Sequence, residues 1–228
     1  MLRVRAENFV DLVELAPIIA VLCLGAISPG PSLAVVLRNT IEGGRRRGVA
    51  CAIGHGIGFG IYAFIAISGI SELKATGGGQ VATALEIAGA GFLLFLAYLM
   101  LRTPKSTSVS KLKGEEFVST NDGKIGAGLA ERQGFLEGFL IAFLNPKILA
   151  FQLAVFSKFV QADFTWAERG IVATFAMCID GGWYILVALV ITGTPLLVAL
   201  QRNRRGVDKT MGVLLATLAL WILISAEL

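Results

Sequence analysis

Apolar residues fill this chain in long uncharged runs separated by short charged stretches. The first run, Leu15 to Leu37, holds no Asp, Glu, Lys, Arg or His. It is long enough to cross a bilayer, which needs ~20 apolar residues. Stretches at about 48–71, 81–101, 135–157, 170–194 and 207–226 have the same character. The pattern predicts an all-α integral membrane protein with six transmembrane helices. The segment ahead of the first run mixes Arg3 and Arg5 with Glu7, Asp11 and Glu14. That is a poor signal-peptide start, so the run reads as a retained helix.

Two of the six helices carry a break. Ser28-Pro29-Gly30-Pro31 interrupts the first run, and Asn145-Pro146-Lys147 interrupts the fourth. Each proline deletes a backbone donor and clashes with the preceding turn. Broken backbone at membrane depth is tolerated only where it is buried in protein or lines a cavity. A pair of such breaks in matching positions of two halves points to a transport site.

The halves are weakly alike. Pro146 follows Pro29 by 117 residues, and Arg169-Gly170-Ile171 follows Arg47-Gly48-Val49 by 122. Three helices per half force the second half to enter the membrane from the opposite side. The expected architecture is therefore two inverted three-helix repeats with broken helices 1 and 4. Repeat 1 covers about 15–102 and repeat 2 about 135–226. A Ser-, Thr-, Lys- and Gly-rich stretch at 103–134 reads as a mobile cytoplasmic linker. The whole of 1–228 forms a single membrane domain.

Composition agrees: 55% hydrophobic, 16% charged, mean hydropathy +0.75. A soluble domain would carry more charge. Of the 20 Lys and Arg residues, fourteen follow helices 1, 3 and 5. The positive-inside rule places those loops in the cytoplasm and both termini outside. Basic residues so placed need no nucleic-acid partner, although they can touch anionic lipid. Cys23, Cys51 and Cys178 form no C-x-x-C and read as small buried packing residues.

At the first break, Ser28 can cap a new helix start, Pro31 suits a first turn, and Gly30 lets a ligand approach the backbone. Ser32 follows. The positive helix end suits a carboxylate. Asn145 and Pro146 repeat the device, and Lys147 adds a charge inside a span. The bland reading of Lys147 is a side chain snorkelling to the interface. Asp180 lies mid-way along helix 5, where a carboxylate costs at least ~2.5 kcal/mol on insertion scales. Lys147 is its natural partner, as a static pair or in a working one; Asp180 could instead carry a coupling proton or hold a substrate amine. His55 sits in Gly54-His55-Gly56-Ile57-Gly58-Phe59-Gly60. It could relay protons or simply be a buried, hydrogen-bonded histidine. Glycines four apart around it allow close packing, in a bundle or a homodimer. Glu86 and Glu137, near helix starts, read as structural.

Pro29-Gly30-Pro31, Arg45-Arg46-Arg47-Gly48, the glycine-rich helix 2 and Asn145-Pro146-Lys147 resemble the LysE/RhtB family of amino-acid exporters over nearly the whole chain. The resemblance implies six helices and a non-enzymatic secondary transporter. It would export amino acids or derivatives across a bacterial inner (plasma) membrane by proton-coupled antiport, without a cofactor. Its members often carry a polar or acidic residue where this chain has Phe59. On this reading Ser28, Pro29, Gly30, Pro31, Ser32, Asn145, Pro146 and Lys147 bind substrate, and Asp180 and His55 couple protons. The alternative is a divalent-metal exporter of related fold, which needs clustered carboxylate, His or thiolate ligands. A membrane redox protein would need cysteines beside both breaks; Cys23 is remote from Pro29, and helix 4 has none.

Overall fold

A computed structural model of the chain describes residues 12–27, 30–102, 127–191, 194 and 204–225. Every element in it is helical. Helix α1 is Leu12–Ile27 and α2 is Pro31–Arg102. Helix α2 is interrupted at two glycines whose backbone is not helical, Gly44 (φ 80°) and Gly78 (φ 65°). Only glycine adopts such backbone at no steric cost. The turns divide α2 into α2a (31–43), α2b (45–77) and α2c (79–102). Then come α3 (Ala127–Phe143), α4 (Pro146–Phe159), α5 (Trp166–Leu186) with a π-helical turn at Val187–Ile191, and α6 (Arg204–Ser225).

Helices α2, Trp166–Val190 and Asp208–Ser225 are each long and apolar enough to cross a membrane. Gly128–Phe143 and Lys147–Phe159, bent by 55° at the break between them, make a fourth if the two together form one broken span. The chain is a multi-pass membrane protein. Large side chains such as Ile61, Ile65, Phe95 and Leu220 stand exposed, as a lipid-facing surface requires.

Local chemistry accounts for the helix ends. Asn145 caps α4, its side chain accepting from Lys147 N at 3.0 Å with Pro146 in the first turn. Thr165 and Glu168 close a reciprocal capping box at the start of α5. At the first break α1 stops at Ile27 and α2 starts at Pro31; Ser28 and Pro29 lie outside the described residues. Helix α3 starts at Ala127, eight residues inside the stretch read from sequence as linker. The added turns pack: a Cβ on Gly134 would lie 2.6 Å from Arg47 O.

The core gathers α1, α2b, α2c, α4, α5 and α6 around residues such as Ile67, Leu93, Phe156, Ala176 and Ile222. A smaller cluster around Val36, Cys51, Tyr184 and Val187 joins α2a and α2b to α5. All three cysteines are free. Cys51 is buried as expected, but Cys23 is only half-buried and Cys178 is exposed on α5, so the packing reading fails for Cys178.

Candidate functional site

The glycines of α2b set the geometry of the centre. They serve two different neighbours, because residues two apart on a helix face different directions. Gly54 and Gly58 lie against α3, where an added Cβ would meet Phe135 O at 2.0 Å and Phe139 O at 2.9 Å. Gly56 and Gly60 lie against α5, where it would meet Gly181 Cα at 2.8 Å and Met177 Cβ at 2.7 Å. Gly138 completes the α3 contact, with its Cβ position 1.9 Å from Cys51 O.

This crossing of α2b and α5 carries His55 onto Asp180. His55 Nδ1 lies 2.6 Å from Asp180 Oδ2, and both side chains are buried. A carboxylate at Nδ1 holds the ring proton there in the neutral form and leaves Nε2 as the ring's acceptor. Nε2 has no hydrogen-bond partner among the described residues. Tyr184, one turn after Asp180, packs edge-on against the imidazole with ring centroids 4.5 Å apart. Ser32 lines the same cavity as Tyr184, which ties this group to the first break.

A cavity of about 80 Å³ lies here. One water needs ~10–15 Å³ on this measure, so the space holds several waters or a small solute. Gly30, Pro31 and Ser32 of the first break line it, as do Asn145 and Lys147 of the second, and His55, Asp180 and Tyr184. Phe59, Phe151, Leu96 and Leu215 form apolar walls. The starts of two helices thus face the same space as the most deeply buried acid–base pair among the described residues. Sequence analysis gave Asp180 to Lys147; the structure gives it His55, with exposed Lys147 on the cavity wall. Pro146 starts α4 beside the cavity residues.

Tyr184 was not singled out from sequence, although its place one turn after Asp180 on an apolar helix was a signal. Gln152 was also missed. It is fully buried on α4 and donates to Phe59 O at 3.0 Å.

Polar clusters occupy both ends of α2b. At one end Glu137 of α3 accepts from Arg38 at 2.5 Å, Asn39 at 2.9 Å and Arg47 at 3.2 Å, while Arg47 also donates to Asn39 at 2.7 Å. At the other, Glu86 meets Lys74 at 3.5 Å and Lys158 at 3.0 Å. Lys74 also donates to Ser157 O, and Lys158 to Ser225 O. Nearby, Arg169 reaches Glu72 and Ser71, each at 2.9 Å. Glu86 therefore belongs to an end cluster and not to the cavity wall. Among the described residues no three or more His, Cys, Asp or Glu side chains gather where a metal ion could be held.

Comparison with known proteins fits a transporter built around two breaks. Residues 23–226 match the LysE type translocator family. The chain belongs to that family. It is a translocator and not an enzyme. It is 28% identical to the threonine efflux protein of Escherichia coli K12 over 202 residues, 87% of this chain and 92% of that one. It is 24% identical to the uncharacterized membrane protein YahN of the same strain, over 93% and 92% of the two chains. The threonine efflux protein of Salmonella typhi is 23% identical over 199 residues, 87% of this chain and 92% of that one. No solved structure matches.

Proposed function

We propose that this translocator exports a small amino acid or amino-acid derivative across the plasma membrane in exchange for protons. The observation that carries the reading is the shared cavity: both breaks, Lys147 and the His55–Asp180 pair line one space. The threonine efflux proteins among its relatives supply the substrate class. A site of this size with aromatic walls suits a short side chain.

In this mechanism the substrate carboxylate lies against the helix starts at Ser28, Pro29, Gly30, Pro31 and Ser32 and at Asn145, Pro146 and Lys147. Its ammonium approaches Asp180. The His55–Asp180 pair holds one exchangeable proton. Without it the pair carries a net charge of −1 and attracts the ammonium; with it the pair is neutral and lets the ammonium go. Proton and substrate therefore compete for one place, and competition at a site that faces the two sides in turn gives antiport. The turns would come from two inverted repeats, about 15–102 and 135–226, rocking across a linker at 103–134, with the termini outside. The end clusters around Glu137 and Glu86 then serve as the closures of the two faces.

Purified protein in liposomes with an imposed proton gradient tests the reading. Gradient-driven movement of a labelled small amino acid is expected. A panel that includes threonine, homoserine, basic and branched amino acids, with no flux above empty vesicles, overturns it. Cadmium and manganese movement in place of amino-acid flux would favour the metal exporter.

A further inference from the structure

The four arginines around the turn at Gly44 are not equivalent. Arg38 and Arg47 are tied to Glu137. Arg45 and Arg46 are exposed and have no ion pair among the described residues. Instead they stand at the rim of a groove of about 340 Å³. Its floor is apolar: Val49, Ala50 and Ile53 of α2b and Leu189 of the π-helical turn after α5. A π-turn widens a helix locally and recurs at functional positions. Glu131 of α3 is the one acidic residue of the lining.

Ile53, in the lining of the groove, is exposed on a helix apolar enough to span a membrane. Ile53 is followed on α2b by Ile61 and Ile65, all three exposed. Arg46 and Ile53 are seven residues apart, which is ~10 Å along a helix. That spacing takes a ligand from headgroup depth into the hydrocarbon. Two cations at the rim and apolar residues leading inward complement one molecule with an anionic head and an acyl chain. A soluble phosphate would leave the apolar floor uncovered, and a zwitterionic lipid would bring an ammonium group that two arginines repel. Glu131 offsets one of the two positive charges, so the lining keeps a net charge of +1.

We propose that this groove is a binding site for an anionic phospholipid, with its phosphate on Arg45 and Arg46 and an acyl chain along Val49, Ala50, Ile53 and Leu189. The site is independent of the transported substrate.

Native mass spectrometry of the full chain, titrated with phosphatidylglycerol or phosphatidylcholine, tests it. The first phosphatidylglycerol is expected to bind more tightly than phosphatidylcholine. R45Q/R46Q should weaken it by about fivefold for each arginine removed, and R45K/R46K should keep most of the affinity. Leu189→Trp, which fills the groove without changing charge, should weaken phosphatidylglycerol as well. Equal affinity for the two lipids overturns the proposal, as does unchanged affinity in R45Q/R46Q. Loss with the arginines but full retention in Leu189→Trp means diffuse surface charge and no groove site. Displacement of the lipid by glycerol 3-phosphate at equal concentration means a soluble phosphate ligand, and overturns it too.

Discussion

His55 is the chain's sole histidine, and its ring is held between a carboxylate and a phenol. Leaving a buried acceptor without its hydrogen-bond donor costs about 1–3 kcal/mol, and more when the acceptor is charged. His55→Ala should therefore lower thermal stability more than Asp180→Asn, which leaves no charge behind. The double variant His55→Ala/Asp180→Asn should regain part of the loss; a thermal-melt cycle checks this. Transport separates the roles further. Asp180→Asn, which keeps the pair neutral, should abolish both gradient-driven efflux and exchange of labelled for unlabelled substrate, because the ammonium loses its counter-charge. Full pH-driven efflux in Asp180→Asn would remove the coupling role from this residue. Sequence reading found both residues, as ionisable groups inside spans. It did not find the pairing, because they are 125 positions apart and Lys147 offered Asp180 an opposite charge on simple electrostatic grounds. Only the crossing of backbones at Gly56 and Gly181 selects the histidine.

At the scale of helices, the two proline breaks and the stops and starts around them were legible, since proline and its caps act within a few residues of themselves. The glycine spacing of α2b announced close packing as well. Which face met which neighbour was not legible, because spacing gives the stripe and not its partner. The contacts predict a sharp contrast. Gly138→Ala places a methyl 1.9 Å from a backbone carbonyl, Cys51 O, which no side-chain rotation relieves. Overpacking of this kind typically costs about 1–3 kcal/mol, and the melting temperature should fall accordingly. Gly182→Ala, with nothing within 4 Å, should be neutral or slightly stabilising, as alanine favours helix. If the two variants melt together, the α2b–α3 packing is wrong. The run of helix through 127–134 escaped the sequence reading because its polar residues, Glu131, Arg132 and Gln133, look like linker when their packing face is unknown.

Across the whole molecule, the end clusters are 27 residues apart on one helix, from Arg47 to Lys74, or ~40 Å at 1.5 Å per residue. His55 lies between them. If the cluster at Glu137 closes one face, Glu137→Gln should open it. A cysteine placed at Ser32 in a cysteine-free chain should then react faster with a membrane-impermeant thiol reagent from the Arg47 side, by about tenfold for the ~1.4 kcal/mol that separates such populations. Unchanged labelling with a lowered melting temperature would make the cluster a static tie. Inverted repeats were suggested by sequence offsets of 117 and 122; such weak echoes suggest two halves and carry nothing of the movements between them.

The contact of Gly56 with Gly181 has a mechanical meaning. With no side chains between them, two helices can pivot on each other as levers on a fulcrum. Lys74 lies 18 residues beyond Gly56, an arm of ~27 Å, so a tilt of about 10° sweeps that end through roughly 5 Å while the pivot itself hardly moves. The pair His55 and Asp180, sitting beside the fulcrum, would keep its spacing through the stroke. On the proposed mechanism, small glycines at the centre would let large displacements happen at the rims without disturbing the pair in the middle.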